Sequence, residues 1–108
     1  MTRDDARLVA IDLDGTLLTP EGEVSPRDLK ALAACEAQGI RIAIVTGRRF
    51  PAARRFIEPL PGAPLVVANS GAIVKQSVTG RILRRRLLPR AVATKVLELA
   101  EHRGEAPL

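Results

Sequence analysis

Leu8-Val9-Ala10-Ile11-Asp12-Leu13-Asp14-Gly15-Thr16 is the stretch on which the reading of this chain turns. Its first four residues are apolar without polar alternation, the pattern of a short parallel strand covered on both faces, and the run ends at a carboxylate. In open α/β sheets ligands bind beyond the carboxyl ends of the strands, so a polar residue at that place is a candidate for chemistry. Asp12 and Asp14 are two residues apart, and an extended backbone points both side chains to the same side. Gly15 lets the chain turn sharply and come close to an anion, leaving its own amide and that of Thr16 to donate.

Outward from this stretch the pattern repeats. Thr16 to Val24 holds Pro20 and Gly22 and reads as a loop. Ser25-Pro26-Arg27-Asp28 is a helix start: a capping serine, proline at the first helical position and an acidic residue three after the cap. Leu29, Leu32 and Ala33 form its apolar stripe, Cys35 reads as a small apolar filler, and Gly39 supplies the stop. A second apolar strand, residues 40–45, ends in Thr46-Gly47-Arg48, and a short helix is predicted over 51–57. A third strand, residues 65–68, ends in Asn69-Ser70-Gly71. Strand and helix in alternation predict an α/β fold with right-handed crossovers, a Rossmann-like open parallel sheet. Asp12, Thr46 and Asn69, far apart in sequence, then meet along one sheet edge.

After Gly71 the pattern changes. Residues 72–76 and 81–87 predict two short strands around Thr79-Gly80, and Pro89 opens a helix with Val92, Val96, Leu99 and Ala100 on one face. We expect one unit over 1–71 and the start of another over 72–108.

Composition narrows the class. No apolar run approaches the roughly 18 residues of a membrane span. The polar segment Met1–Arg7 does not have the form of a signal peptide, and one cysteine, Cys35, allows no internal disulfide; both fit a cytoplasmic protein. The net charge of +5 suits either nucleic acid or a phosphate-bearing substrate. Two phenylalanines with no tryptophan or tyrosine offer few platforms for stacked bases, which argues against nucleic acid. The run Arg81, Arg84, Arg85, Arg86 and Arg90 reads as solvated positions on the hairpin or, less in keeping with its surroundings, as contacts to a phosphate-bearing substrate or nucleic acid, and His102, alone near a helix end, as a surface residue.

Two carboxylates at a strand tip suit phosphoryl transfer. One, ionised at neutral pH, attacks phosphorus and splits hydrolysis into two steps through an aspartyl-phosphate. The other protonates the leaving oxygen and then activates water, a role for which a nearby like charge and partial burial would raise its pKa. Magnesium takes oxygen ligands, commonly one or two carboxylates plus substrate phosphate, and offsets the repulsion between anionic nucleophile and anionic substrate.

Asp12-Leu13-Asp14-Gly15-Thr16-Leu17-Leu18, Thr46-Gly47-Arg48 and Asn69-Ser70-Gly71-Ala72 together resemble the N-terminal part of a Cof-type phosphatase of the haloacid dehalogenase superfamily. The resemblance covers nearly the whole chain, with Ser70 as one residue more than the family's Asn-Gly-Ala turn. It implies Asp12 as nucleophile and magnesium ligand, and Asp14 as general acid/base that also binds the metal through its main-chain carbonyl. It implies phosphate contacts from Gly15, Thr16, Thr46 and Gly47. Arg48 would touch substrate or cap the following helix; Asn69 would line the pocket or only form its turn. The implied substrate is a small phosphorylated metabolite, and residues 72–108 would be the first β-hairpin and helix of an α/β cap.

The family also needs a lysine and a late acidic motif. Lys30, Lys75 and Lys95 follow no strand end, and Glu98, Glu101 and Glu105 read as solvated helix positions. The chain is therefore expected to be an N-terminal fragment, nearly inactive and poorly folded alone, with an unpaired apolar sheet edge. The competing expectation is a noncatalytic remnant acting as a binding or regulatory module. A receiver-type phosphoacceptor would need an aspartate where Thr46 or Asn69 stands, and a carbon–halogen hydrolase would have no use for Asp14.

Overall fold

The structure, a computed structural model, describes residues 7–104. The expectations for Met1–Ala6 and Glu105 fall outside those residues. Strand β1 (Leu8–Asp12) is followed by a wide helical turn over Leu13–Leu17, closed by the Leu18 N–H donating to the Leu13 carbonyl at 2.9 Å. The loop expected from Thr16 is thus ordered from the start, and it continues as a tight excursion closed by the Leu18–Val24 bridge. Helix α1 (Pro26–Ala37) begins as expected, the Ser25 hydroxyl accepting from the Asp28 N–H at 3.1 Å. Strand β2 (Arg41–Val45), helix α2 (Phe50–Ile57) and strand β3 (Leu65–Ala68) complete the alternating part.

Strands β4 (Ile73–Gln76) and β5 (Ile82–Arg85) form the expected hairpin, and helix α3 (Arg90–His102) follows. All five strands lie in one sheet in chain order; β1, β2 and β3 are parallel, while β4 and β5 join antiparallel. The hairpin expected to open a second unit at residue 72 therefore continues the same sheet, Ile73 pairing with Ala68 and Gln76 with Leu65.

Coverage of the sheet differs from expectation. Val9, Ile11, Ile42, Ile44, Val66 and Ala68 pack in one cluster with Leu32 of α1 and with Ala53 and Ile57 of α2. Both crossover helices therefore lie on the same face. Strands added in one direction by right-handed crossovers produce this, since each helix then returns on the same side. The opposite face is less covered: Leu8 is 56% exposed and Val45 37%, Ala10 is exposed, Leu65 and Val67 are half-buried, and only the small Ala43 between them is buried. Ala33, assigned to the buried stripe of α1, is exposed, leaving Leu32 as its buried residue. Along α3 Val92, Val96 and Leu99 are exposed. No helix among the described residues is long and apolar enough to cross a membrane.

Candidate active site

At the tip of β1 a fully buried Leu13 separates two exposed carboxylates, Asp12 and Asp14. Leu13 anchors the turn in the core, and the exposed–buried alternation of β1 runs on through it to Asp14, which is itself extended (φ −69°, ψ 125°) within the turn. Gly15 then adopts φ +76°, a left-handed conformation that reverses the chain. A Cβ there would meet nothing within 4 Å, so the backbone angle rather than packing calls for glycine. Asp12 stands in register with Val45, immediately before Thr46.

The tips of β2 and β3 are stitched together. The Thr46 N–H donates to the Val67 carbonyl at 2.9 Å, the Asn69 N–H to Arg48 at 2.9 Å, and the Ser70 N–H to Thr46 at 3.1 Å. Asn69 and Ser70 both hold positive φ, 51° and 54°. Two such residues in succession are unusual without glycine, and they bring the Ser70 hydroxyl over Gly47, where a Cβ would lie 3.3 Å from it. Gly47 is thus the residue that admits this approach. Thr46 is buried, and its hydroxyl oxygen accepts from the Arg48 N–H at 3.0 Å. The hydroxyl hydrogen remains available as a donor.

Arg48 does not cap the following helix, the second of the two roles expected for it. The residue preceding α2 is Arg49, with no side-chain cap, and the Arg48 guanidinium instead grips Asp14. Its Nε donates to Oδ2 at 2.8 Å and its terminal nitrogen to Oδ1 at 2.7 Å, a two-pronged ion pair. This overturns the expected direction for Asp14. Hydrogen bonding to Arg48 holds its carboxyl below the ordinary carboxylate value, outweighing desolvation, and the same pair raises Arg48. The sequence carried both residues but no signal that they would meet.

Other placements separate residues from the tip. Thr16 lines an apolar groove of about 310 Å³ between β1 and α1, with Val9, Ile11 and Leu32. The Lys75 ammonium lies 4.5 Å from the Phe50 ring centre, on the helix-covered face. Asn69, Ser70, Arg84 and Arg86 share a cavity of about 740 Å³ at the sheet edge where β3 ends and β4 begins. Asp12 is not part of its wall. The basic run therefore reaches the strand-end edge, which charge alone could not reveal.

For a cation, the donors are few. Among the described residues no group of three or more histidine, cysteine, aspartate or glutamate side chains could hold a metal ion. The exposed Asp12 carboxylate and the Asp14 main-chain carbonyl, with Asp14's side chain occupied by Arg48, fit an ion that takes few protein oxygens and completes its shell with phosphate and water.

The family model of haloacid dehalogenase-like hydrolases matches residues 9–107. The chain is 33% identical to a pyridoxal phosphate phosphatase, YbhA, of Escherichia coli, covering 89% of this chain and 36% of that protein. It is 35% identical to an HMP-PP phosphatase of Shigella flexneri, covering 85% and 34%. A solved haloacid dehalogenase-like hydrolase from Bacillus subtilis superposes with a TM-score of 0.83 at 31% identity, over 91% of this chain and 34% of the other. The chain spans about a third of the length of the curated relatives it matches.

Proposed function

Because this chain belongs to the haloacid dehalogenase-like hydrolase family, we propose that it carries the nucleophile end of a phosphatase acting on a small phosphorylated metabolite through an aspartyl-phosphate. The observation that carries this reading is the pair of exposed carboxylates held apart by buried Leu13 at the β1 tip, beside Thr46 at the β2 tip.

An Asp12 oxygen attacks phosphorus and the bond to the ester oxygen breaks. Asp14 gives its proton to that departing oxygen. In the second half Asp14 takes a proton from water, the water oxygen attacks phosphorus, and the Asp12 carboxylate and inorganic phosphate are released. The ion pair with Arg48 keeps Asp14 ionised, which suits its part as base; acting as acid requires the guanidinium to let go. Thr46 would donate its free hydroxyl hydrogen to a phosphate oxygen, and backbone at Gly15 and Gly47 would admit the anion closely. Magnesium, held by the Asp12 carboxylate and the Asp14 carbonyl, would neutralise charge between nucleophile and substrate. The rest of the substrate would extend along the edge towards Asn69 and the cavity lined by Arg84 and Arg86. Residues 72–108 would lead from the sheet into a cap, with α3 as its first helix.

The relatives named pyridoxal phosphate phosphatase and HMP-PP phosphatase favour small organic phosphates as the substrate class. The test is magnesium-dependent release of phosphate from p-nitrophenyl phosphate by the whole protein, with trapping of a hydroxylamine-labile phosphoryl group on Asp12. Asp12→Asn should remove the label and lower turnover by about 10³-fold or more. Unchanged turnover in that variant would sink the proposal.

A further inference from the structure

Arg48 is held from two directions. Its edge meets Asp14, and its face lies over the ring of Phe56, with the guanidinium carbon 4.8 Å from the ring centre. Phe56 stands in the last turn of α2, one residue before buried Ile57. It is half-buried and packs against the core cluster from its border. The buried positions of α2 are Phe50, Ala53 and Ile57, so Phe56 is not needed to complete that stripe. Gly22, in the excursion after β1, lies near the ring's edge, where a Cβ would stand 4.0 Å from Phe56 Cε1. The ring is thus set by the core cluster at its border and carries two guanidiniums, that of Arg48 and that of Arg55, whose central carbon lies 4.5 Å from the ring centre.

An arginine side chain has many rotamers, and an exposed ion pair by itself holds such a chain poorly. A fixed aromatic face changes that, because its negative π surface attracts the flat cation and leaves the N–H edge free to point elsewhere. An aliphatic residue at position 56 would fill the same space without that attraction.

We propose that Phe56 is a positioning residue: its ring holds the Arg48 guanidinium in the plane where both N–H prongs meet Asp14, and so orients that carboxylate at the β1 tip. Its importance for phosphoryl transfer rests on the role given to Asp14 above, but the contact itself does not. Asp14, Arg48 and Phe56 come from three separate segments, and their alignment makes the aim of the acid/base a property of α2 as well as of β1.

The Arg48 Nε–Hε signal in a nitrogen–proton correlation spectrum of the full chain tests this, assigned by its disappearance in Arg48→Lys. In the unmodified protein and in Phe56→Tyr the signal should be sharp, displaced and slow to exchange with water. In Phe56→Leu it should lose its displacement and exchange rapidly, with the backbone amide spectrum otherwise kept. A retained signal in a folded Phe56→Leu protein overturns the proposal. If that variant does not fold, replacing both phenylalanines by pentafluorophenylalanine reverses the ring's charge pattern at similar shape. Loss of the signal then supports the proposal and its retention overturns it. Neither reading needs turnover, so failure of the phosphatase assignment and failure of this contact are told apart.

Discussion

Asp14 and Arg48 are 34 residues apart and share two hydrogen bonds shorter than 3 Å, so a charge on one strand tip is tuned by a side chain from another. The sign of the effect on stability follows from the direction of the shift. Asp14 has a lowered pKa when folded and the ordinary value, 3.8, when unfolded. The pair therefore contributes stability that is fully present above that value and is lost as pH falls through the lowered one. In urea unfolding, Arg48→Gln should lower the midpoint slightly at pH 7, and the two proteins should converge as the pH drops below about 4. Equal midpoints at pH 7 would show that the pair contributes nothing. The exposure of Asp12 and Asp14 was legible because alternation about Leu13 is a local property of extended chain. The pKa direction was not, since it depended on which cation arrived.

Among the elements, α1 shows how far local chemistry reaches. Serine at the cap, proline at the first position and aspartate three on are all within one turn, and the Ser25–Asp28 bond forms as those residues imply. Ser25→Ala should cost about 1 kcal/mol, a melting temperature lower by roughly 4–8 °C for a domain of this size. No change on calorimetry would mean that the cap is replaced by water. Ile44 in β2 tests tertiary packing instead: it is fully buried in the cluster to which both helices contribute, and Ile44→Ala should cost about 2–5 kcal/mol by chemical denaturation. Strand β1 departs from expectation for a reason of the same kind. An apolar run announces a strand, but whether one face or two are covered depends on where the helices cross, and here both cross on one side. The turn over Leu13–Leu17 was hidden because it needs Gly15 at positive φ, which glycine permits without requiring.

For the whole molecule, the less covered sheet face and the apolar stripe of α3 have a measurable consequence. Leu87, Leu88, Val92, Val96 and Leu99, spaced through α3 and the segment before it, are each at least 46% exposed, an apolar surface that water tolerates poorly. The 108-residue chain should self-associate with rising concentration in sedimentation velocity, and Leu88→Ser with Val96→Ser should weaken this. A monomer at all concentrations would show that these side chains find cover within the chain. What the sequence determined by itself was set by short range: apolar runs made strands, caps and prolines set helix starts, and polar residues closing three apolar runs marked the strand-end edge proposed as the site. What only tertiary structure decided was set by encounter between distant segments. The hairpin joined the sheet instead of leaving it, both helices took one face, and Arg48 settled between Asp14 and Phe56. Hydrogen bonds between strands, apolar burial and charge pairing all depend on distances through space, and a linear order of residues specifies those only once the chain has folded.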